Sequence, residues 1–418
     1  MEKTSPRIAI VGAGISGLVV AHMLHPRHEI TVFEAGDYAG GHTNTIRVDS
    51  SDRSLNIDTG FIVFNDRNYP NFQRLLELLG VAWQPSCMSF SVSDGRDFEY
   101  ASTSVNGLYA RRAHLLDPDF HRMVLEVRRF QRAARELVTR HQDDPSLGEW
   151  LERERFSAAF VERLIVPQVS AVWSADPDQH SSFPARFLTE FFDNHGMLSL
   201  RDRPRWRVIR GGSARYVEAL TAPFGQRLRL STPVESVRRT EDHVLVRVRG
   251  HEEERFDEVV IATHSDQALD LLADPSPQER AVLGAIRYSH NEVVLHTDSR
   301  LLPRRRRAWA SWNYHLRPEV LGRTTITYHM NRLQSLQSRE QYCVTLNLGE
   351  EIDPAHIIRK IPYRHPVFTA DGVRAQANVK DISGVRRTSY CGAYWGWGFH
   401  EDGVRSALRV AERFGVRL

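Results

Sequence analysis

The sequence has 418 residues, of which 41% are hydrophobic and 26% charged, and its formal net charge is +3. This length suits two interleaved or sequential domains, and so balanced a charge gives no reason to expect a nucleic-acid partner. Three scattered cysteines exclude a disulfide framework and a zinc site of the usual spacing, which makes a reducing cytoplasm the simplest compartment. Met1–Arg7 is a short polar lead rather than a signal peptide, and no segment approaches the roughly 18 apolar residues that cross a bilayer.

The first element along the chain is a strand followed by a turn and a helix. Ile8–Val11 predicts a buried parallel strand, and glycines follow at G-x-G-x-x-G spacing as Gly12, Gly14 and Gly17. The first glycine permits a tight turn, the second lets a pyrophosphate approach the backbone, and the third lets helix and strand pack closely. Since the helix N-terminus offers free N–H groups to phosphates, the pattern predicts a dinucleotide site.

A second strand supports this prediction. Glu29–Phe33 ends at Glu34, about 20 residues after the glycines, where an acid can accept hydrogen bonds from both ribose hydroxyls. The negative charge of Glu34 would repel a 2'-phosphate, which disfavours NADP. Gly40 and Gly41 then indicate a second close approach of the backbone to a ligand, with a loop-capping role as the alternative.

The next segment is mainly helical. Asn71–Leu79 predicts a helix that ends at Gly80, and Ser89–Ser93 alternates like a strand. Residues 118 to about 140 predict an amphipathic helix whose basic face is either solvated or docks on an anionic partner. The phenylalanines of Ser181–Phe192 fit core packing best, and they leave a wall of an apolar substrate tunnel open as the alternative.

Strands dominate the second half of the chain. Leu228–Val237 predicts a strand, a turn and a strand, and Val259–Thr263 predicts a buried strand. Arg304–Arg307 is either a solvated loop or a contact for phospholipid headgroups or another anion. A mixed, mostly antiparallel sheet that could form one wall of a cleft is predicted from four further strands: Glu292–His296, Ala308–Tyr314, Thr324–Tyr328 and Tyr342–Leu346.

The last segment is rich in glycine and aromatic residues. Tyr390–Val404 predicts a strand, an aromatic loop and a helix N-terminus, and the helix itself is predicted over Arg405–Phe414. His400 and Glu401 are its ionisable residues, and either could move a proton. The alternative is that Glu401 caps this C-terminal helix and His400 packs.

The order and spacing of these motifs resemble the flavin-containing amine oxidase superfamily: the three glycines, Glu34, Gly40-Gly41 and Asp58-x-Gly60. The resemblance implies an α/β fold, with a glutathione-reductase-type FAD-binding Rossmann domain and an interleaved α+β substrate domain built of a mixed sheet plus helices. It implies an FAD-binding domain formed by residues 1–66, 208–274 and 385–418, and a substrate-binding domain formed by residues 67–207 and 275–384.

The resemblance also implies how the cofactor, FAD, is held. Family members contact the adenine end through the backbone of the residue matching Val234, and their C-terminal helix points at the flavin. His42 stands where the family usually has Arg or Lys, so a permanent positive charge near the pyrophosphate is either missing or conditional on protonation. The residues expected to hold FAD are Gly12, Gly14, Ser16, Gly17, Glu34, Ala35, Gly40, Gly41, His42, Thr43, Gly60, Phe61, Val234, Gly392, Gly403 and Val404.

The chemistry expected of this cofactor is hydride acceptance, either from a C–H bond next to nitrogen or between carbons. Amine oxidases of the superfamily often place a lysine near the flavin, whereas residues 283–291 contain Arg287 but no lysine. This weakens an amine-oxidase interpretation. Phe399 matches one wall of the family's aromatic cage. The catalytic candidates are Tyr394, Trp397, Phe399, His400 and Glu401.

One branch of the superfamily is more similar still, namely predicted NAD/FAD-binding oxidoreductases often encoded beside cyclopropane-fatty-acid-synthase-like methyltransferases. Four stretches carry this resemblance: Ile57–Asn65, Tyr328–Gln334, His365–Phe368 and Gly392–Gly403. The branch implies an FAD-dependent oxidoreductase that desaturates, oxidises or isomerises a small-molecule or lipid-like, fatty-acyl-type substrate. Two alternatives stay open: an FAD amine oxidase, and a flavoprotein accessory subunit of a lipid methyltransferase. Peripheral membrane contact, a methyltransferase partner and the electron acceptor, oxygen included, also stay open.

Overall fold

The computed structural model describes residues 5–49, 53–139, 144–174, 177–199, 203–317 and 322–418. The start of the predicted polar lead, residues 1–4, and the predicted helix end at Arg140 lie outside these ranges. The strands are β1 Arg7–Val11, β2 Glu29–Phe33, β3 Thr45–Asp49, β4 Ser54–Asp58, β5 Phe64–Asn65, β6 Trp83–Pro85, β7 Phe90–Ser93, β8 Glu99–Ala101, β9 Trp206–Ile209, β10 Leu228–Arg229, β11 Val234–Arg239, β12 Val244–Val248, β13 Glu253–Phe256, β14 Glu258–Ile261, β15 Arg287–His296, β16 Trp312–His315, β17 Ile326–His329, β18 Cys343–Leu346, β19 Ile357–Val367 and β20 Thr388–Tyr390.

Within the described ranges, six of the α-helices follow one another between β8 and β9, and the others lie between or after the remaining strands. They are α1 Ile15–Leu24, α2 Pro70–Leu78, α3 Val105–Leu108, α4 Pro118–Thr139, α5 Leu147–Arg153, α6 Ala158–Phe160, α7 Val166–Trp173, α8 Ala185–Asn194, α9 Ala214–Thr221, α10 Ser265–Leu271, α11 Pro277–Leu283, α12 Met330–Leu333, α13 Ala370–Gln376, α14 Val379–Ile382 and α15 His400–Arg413. A π-helical turn over Val161–Ile165 joins α6 to α7.

A five-stranded parallel sheet carries the predicted nucleotide motif. Its order is β10-β2-β1-β14-β20, and Ile10 of β1 lies opposite Val32 and Val260. Because side chains alternate along a strand, Ile8 and Ile10 pack in one apolar cluster with α1 and α15, and the other face packs against β12. Burial on both faces explains the continuous apolar run of β1. The Rossmann-type sheet is confirmed.

A seven-stranded sheet forms the second large layer. Its order is β19-β15-β18-β17-β16-β7-β8, and all pairs are antiparallel except β16 with β7. The expected mixed, mostly antiparallel sheet is therefore confirmed. The phenylalanines of the predicted 181–192 segment are all buried in the core that joins this sheet to helices α4–α8.

The C-terminal helix differs from the prediction. It begins at His400, five residues before Arg405, because the Asp402 carboxylate accepts hydrogen bonds from the N–H groups of Trp397 and Phe399, at 3.0 and 3.1 Å. Asp402 thereby caps the helix from inside its first turn, which the aromatic-glycine composition of this stretch obscured.

The predicted segments of the FAD-binding domain contain the whole parallel sheet but not every element that packs with it. All five strands of the parallel sheet fall within residues 1–66, 208–274 and 385–418. Helix α2 lies in the segment expected to bind substrate, yet it packs with α1 and α15 in the nucleotide-side cluster. Across the described ranges, the structure contains no helix with the length and apolar character that a membrane span requires.

Candidate functional site

A cavity of about 840 Å³ lies where the two large sheets face each other. Its walls include the residues that follow the carboxyl ends of β1, β2, β14 and β20, together with side chains of β15, β17, β18 and β19. Ligands of open α/β sheets bind at the carboxyl ends of parallel strands, so the cavity lies where the fold would place a nucleotide.

The glycine turn between β1 and α1 lines this cavity. Gly12 has φ +102°, and a Cβ there would lie 2.9 Å from the Ala262 carbonyl oxygen. A Cβ at Gly17 would lie 1.9 Å from the Gly12 carbonyl oxygen, so this glycine serves helix–strand packing. A Cβ at Gly14 would meet no atom within 4 Å, since it would project into open space. Gly14 is also the N-cap of α1 and leaves its first N–H groups without a side-chain cap.

A second glycine turn lies directly on the first. Gly40 N–H donates to the Ala13 carbonyl oxygen at 2.8 Å, and a Cβ at Gly41 would lie 3.1 Å from the Cα of Gly14. Two stretches of backbone without side chains therefore border one volume. An uncapped helix N-terminus facing that volume suits a pyrophosphate, which is the central group of FAD.

Glu34 completes the nucleotide end. Its Oε2 accepts the Ala13 N–H and its Oε1 accepts the Gly36 N–H, each at 2.8 Å. These bonds fix the carboxylate while each oxygen keeps acceptor capacity for a hydroxyl. Ala35 and Val234 line the cavity beside it. The residues present therefore fit FAD from the pyrophosphate to the adenosine ribose.

Four residues of the predicted cofactor set do not line the cavity: Gly17, Thr43, Gly403 and Val404. The earlier start of α15 explains two of them, since it turns Gly403 towards α1, where a Cβ would lie 2.8 Å from Ile15 Cγ2. Val404 is fully buried in the same cluster. A contact between the backbone of these two residues and the flavin therefore stays a prediction.

His42 lies among aromatic rings in the cavity wall. It stacks on Tyr363 with ring centroids 4.9 Å apart, and the rings of His264 and His365 lie 5.8 and 5.4 Å away. Burial lowers the pKa of His42, and it lowers the pKa of His264 to about 4. Position 42 itself therefore carries no permanent positive charge like that of the family's Arg or Lys, although the Arg364 side chain also lines the cavity. In the described part of the chain, no three His, Cys, Asp or Glu side chains are arranged to hold a metal ion.

His400 faces the cavity from the first turn of α15. Its Nε2 lies 3.0 Å from both Thr43 Oγ1 and the Tyr216 hydroxyl, and its ring stacks on Phe61 at 3.5 Å between centroids. Burial lowers the pKa of His400 well below its ordinary value, so the ring is neutral at physiological pH. Thr43 acts here as a partner of His400 behind the wall.

Glu401 points away from the cavity. Its carboxylate accepts hydrogen bonds from the N–H groups of Asn71 and Phe72, at 3.2 and 3.0 Å, and from Asn71 Nδ2 at 2.6 Å. It therefore caps the N-terminus of α2, a helix far away in the sequence, and not that of α15, to which it belongs. Burial raises the pKa of Glu401.

The other end of the cavity is aromatic. Tyr394, Trp397 and Phe399 line it as the sequence predicts, and the Trp397 carbonyl oxygen accepts the Trp173 Nε1–H at 3.0 Å. Phe399 stacks on Phe191 with centroids 5.2 Å apart, which places the predicted phenylalanines directly behind the wall. The sheet expected to form one wall of a cleft does line the cavity, but its individual lining residues were not predicted as site residues. The lining residues not predicted individually include Val172, Trp173, Val293, Trp312, Tyr328, Leu346, His365 and Phe368.

Comparison with known proteins identifies the family of this chain. Residues 15–310 match the model described as flavin containing amine oxidoreductase. The chain belongs to this family. FAD is therefore its cofactor, and the family is one of FAD oxidoreductases.

The individual relatives of this chain are distant from it in sequence. A flavin-containing monoamine oxidase, AofH, of Mycobacterium tuberculosis is 26% identical over 249 residues, which cover 56% of this chain and 51% of the relative. The chain spans about half the length of the curated relatives it matches.

Solved structures share the fold over almost the full chain. Cyclohexylamine oxidase from Brevibacterium oxydans has a TM-score of 0.70 at 15% identity and covers 98% of this chain and 100% of its own. A CLA-producing fatty acid isomerase from P. acnes has a TM-score of 0.70 at 15% identity, with 98% of both chains covered.

Proposed function

We propose that this chain is an FAD-dependent oxidoreductase that takes a hydride from an apolar, fatty-acyl-like substrate, by desaturation, oxidation or isomerisation. The lining of the cavity supports this proposal. Among the described residues that line it, the only carboxylates are Glu34, which directly follows β2, and Asp270 of α10, both on the nucleotide side. The aromatic end thus offers no anion for a charged ammonium group, and its walls suit hydrocarbon.

The protein would contribute to such a reaction by positioning FAD and substrate and by excluding water. The chemistry supplied by bound FAD is acceptance of the hydride. Gly14, Gly40 and Gly41 would hold the pyrophosphate and Glu34 the ribose. Trp397 and Phe399 would hold the apolar substrate and exclude water from it.

Anaerobic mixing tests this proposal. The FAD-reconstituted protein is mixed without oxygen with linoleate or a linoleoyl phospholipid, and in parallel with benzylamine or a long-chain alkylamine. Flavin absorbance and the products are followed together, because an isomerisation moves a double bond without net flavin reduction. The proposal is supported if the protein converts the lipid, Trp397→Ala slows this conversion, and Trp309→Ala leaves its rate unchanged. Flavin reduction by the amines, with no lipid product, contradicts it.

An FAD amine oxidase is the alternative that one observation favours. Trp397 and Phe399 form a neutral aromatic wall, which would tolerate a deprotonated amine as well as a lipid chain. The name of the M. tuberculosis relative points in the same direction. In this case the amine arm of the mixing experiment reduces the flavin, and the rate rises with pH as the free amine is formed.

The finer assignment is the branch associated with cyclopropane-fatty-acid-synthase-like methyltransferases. Its support is confined to the sequence stretches that resemble that branch, such as Ile57–Asn65 and Gly392–Gly403. A methyltransferase partner, or an accessory role beside one, belongs to this proposal. Co-expression with a methyltransferase encoded beside this chain, followed by affinity capture at matched salt, tests it. Failure to capture the methyltransferase contradicts the partnership and leaves the oxidoreductase proposal intact.

We also propose peripheral contact with an anionic membrane through one end of α4. Leu115, Leu116 and Leu125 are 50%, 89% and 70% exposed, and His121 Nε2, one turn before Leu125, lies 3.0 Å from the Leu115 carbonyl oxygen. Four exposed arginines flank Leu125 on the same helix face: Arg122, Arg128, Arg129 and Arg132. Apolar side chains among cations suit anionic headgroups over hydrocarbon.

Vesicle sedimentation tests this contact. The protein should bind phosphatidylglycerol-containing vesicles more than pure phosphatidylcholine vesicles, and added salt should weaken the binding. The double variant Leu115→Ser/Leu116→Ser should lose it. Leu78→Ser, which changes a leucine that is 64% exposed on α2, is the control and should bind as the unmodified protein does. Equal binding to both vesicle types contradicts the proposal.

A further inference from the structure

A chain of side-chain hydrogen bonds leads from the backbone of β15 to the cavity, and it begins at Asn347. The Glu292 N–H donates to Asn347 Oδ1 at 3.0 Å, and the Asn347 N–H donates to the Glu292 carbonyl oxygen at 2.9 Å. A backbone N–H can only donate, so Asn347 Oδ1 is the acceptor and Asn347 Nδ2 must donate elsewhere.

The next link fixes the orientation of Asn291. Asn347 Nδ2 donates to the Thr324 carbonyl oxygen and to Asn291 Oδ1, each at 2.8 Å. Because Asn291 Oδ1 is thereby an acceptor, Asn291 Nδ2 is the donor. It lies 3.2 Å from Ser289 Oγ and 3.0 Å from His365 Nδ1. Asn291 is only 5% exposed, so water does not compete for these bonds.

The last link determines the tautomer of His365. Since Asn291 Nδ2 donates to it, Nδ1 is an acceptor and carries no proton, so the proton of the neutral ring is on Nε2. Burial lowers the pKa of His365 to about 3, which keeps the ring neutral. The ring lines the cavity, 5.4 Å from His42 between centroids, and no side chain among the described residues accepts a hydrogen bond from Nε2.

We propose that His365 is a cofactor-binding residue whose fixed, neutral Nε2–H donates a hydrogen bond to an acceptor atom of bound FAD, and that Asn291 and Asn347 are its positioning residues. A ring held in one tautomer gives the cavity a hydrogen-bond donor that stays a donor and stays uncharged across the physiological pH range. The acceptor atoms of FAD in question are electron-rich nitrogen or carbonyl oxygen, to which a neutral imidazole N–H donates well. The inference rests on the cofactor and is independent of the substrate.

The backbone at Asn347 supports this assignment. Asn347 has φ +58°, a left-handed conformation in which asparagine is enriched among the non-glycine residues, although glycine adopts it at less cost in free energy. Glycine would avoid the cost but would lack the side chain that links the Glu292 N–H to Asn291. An aspartate could accept from Glu292 but could not donate to Asn291 Oδ1.

The tautomer is measured directly in the apoprotein. With ¹⁵N-labelled histidine, the ring nitrogens of His365, assigned by comparison with His365→Gln, should show a proton on Nε2 and none on Nδ1. In Asn291→Asp the carboxylate accepts instead of donating, so the proton should move to Nδ1. Asn313→Asp is the control, because Asn313 is a buried asparagine of the same sheet that bonds Ser91, Ala310 and Thr327 and no histidine. A proton on Nδ1 in the unmodified apoprotein overturns the relay.

Titration of the apoprotein with FAD tests the contact itself. Loss of one hydrogen bond should weaken FAD binding by about three- to tenfold in His365→Ala, and His365→Gln, which can present an N–H at a similar reach, should recover most of it. Asn291→Asp should weaken FAD binding to the same extent above pH 7, because Nε2 of His365 no longer carries the proton in this variant. The flavin reduction potential should move in His365→Ala and in Asn291→Asp and stay in place in Asn313→Asp.

Two controls separate this role from a general structural one. Apoprotein unfolding temperatures should be similar for the unmodified chain and His365→Gln. His296→Ala removes a histidine of the same sheet that is buried against Thr345, 2.7 Å from its Oγ1, and should lower stability without changing the affinity of the folded fraction for FAD. Unchanged FAD affinity and reduction potential in His365→Ala overturn the proposal.

Discussion

Asp58 and Gln334 hold each other through hydrogen bonds in both directions. The Asp58 N–H donates to Gln334 Oε1 at 2.9 Å, and Gln334 Nε2 donates to Asp58 Oδ2 at 3.0 Å. The same carboxylate accepts the Thr45 hydroxyl and the Ser213 N–H, so it ties β3, β4 and the start of α9 to the turn after α12. Asp58 is therefore a structural joint behind Gly60, which lines the cofactor cavity.

Asp58→Asn should change how stability depends on pH. Burial raises the pKa of Asp58 from 3.8 to about 6, so the folded state binds the proton more tightly than the unfolded state. This contribution to stability is complete below pH 3.8 and is lost as pH rises through 6, which amounts to about 3 kcal/mol. Relative to the variant, the unmodified protein should thus lose about that much free energy of unfolding between pH 4 and 7.

Urea denaturation over that pH range measures the effect, with the exposed Asp371→Asn as control. A constant difference in unfolding free energy between Asp58→Asn and the unmodified protein would contradict the assignment.

Two glycines of one motif should respond differently to alanine. Gly17→Ala places a Cβ 1.9 Å from a backbone oxygen, so we expect a loss of roughly 2–3 kcal/mol in unfolding free energy. Gly14→Ala meets open space and should cost within about 1 kcal/mol, while its methyl group occupies the volume of the pyrophosphate. Denaturation of both apoproteins and their titration with FAD measure these effects. Normal FAD affinity in Gly14→Ala would place the pyrophosphate elsewhere.

Glu34→Gln should weaken FAD binding while leaving the fold in place. The amide can accept only through its oxygen, so its NH₂ faces either the Ala13 or the Gly36 N–H and no longer accepts from the ribose. We expect about a tenfold or greater loss of affinity for FAD, from one or two hydrogen bonds to a charged acceptor. Calorimetry measures it. Glu29→Gln, at the exposed start of the strand that Glu34 directly follows, is the control, and an equal loss of FAD affinity there would contradict the ribose role of Glu34.

Glu401→Gln distinguishes a cap from a proton carrier. The carboxylate accepts three hydrogen bonds at the start of α2 and does not line the cavity. We expect a loss of about 1–2 kcal/mol in unfolding free energy, as for other N-cap changes, and a flavin reduction rate per bound FAD within about twofold of the unmodified protein. Stopped-flow reduction at several pH values is the measurement. A large fall in rate with unchanged stability would restore Glu401 as an acid or base.

Local patterns predicted the parts of this molecule that local physics determines. The strand-turn-helix at Gly12–Gly17 and the end of α2 before Gly80 need only neighbouring residues, and both were predicted from the sequence. The start of α15 was not, because Asp402 reaches back over a glycine-rich loop to cap it. The target of Glu401 on α2 and the pairing of His365 with Asn291 could not be predicted either, since each joins residues far apart in the chain.

Titration of the apoprotein with nucleotides under identical conditions tests the assignment of FAD to this cavity. The two glycine turns and Glu34 require the whole dinucleotide, so one FAD should bind per chain and give the spectrum of a protein-bound flavin. FMN, which lacks the adenosine ribose, should bind at least about tenfold more weakly, and NADP should not compete. Failure to bind FAD, or equal affinity for FMN and FAD, would contradict the assignment of the glycine turns and Glu34 to the FAD site.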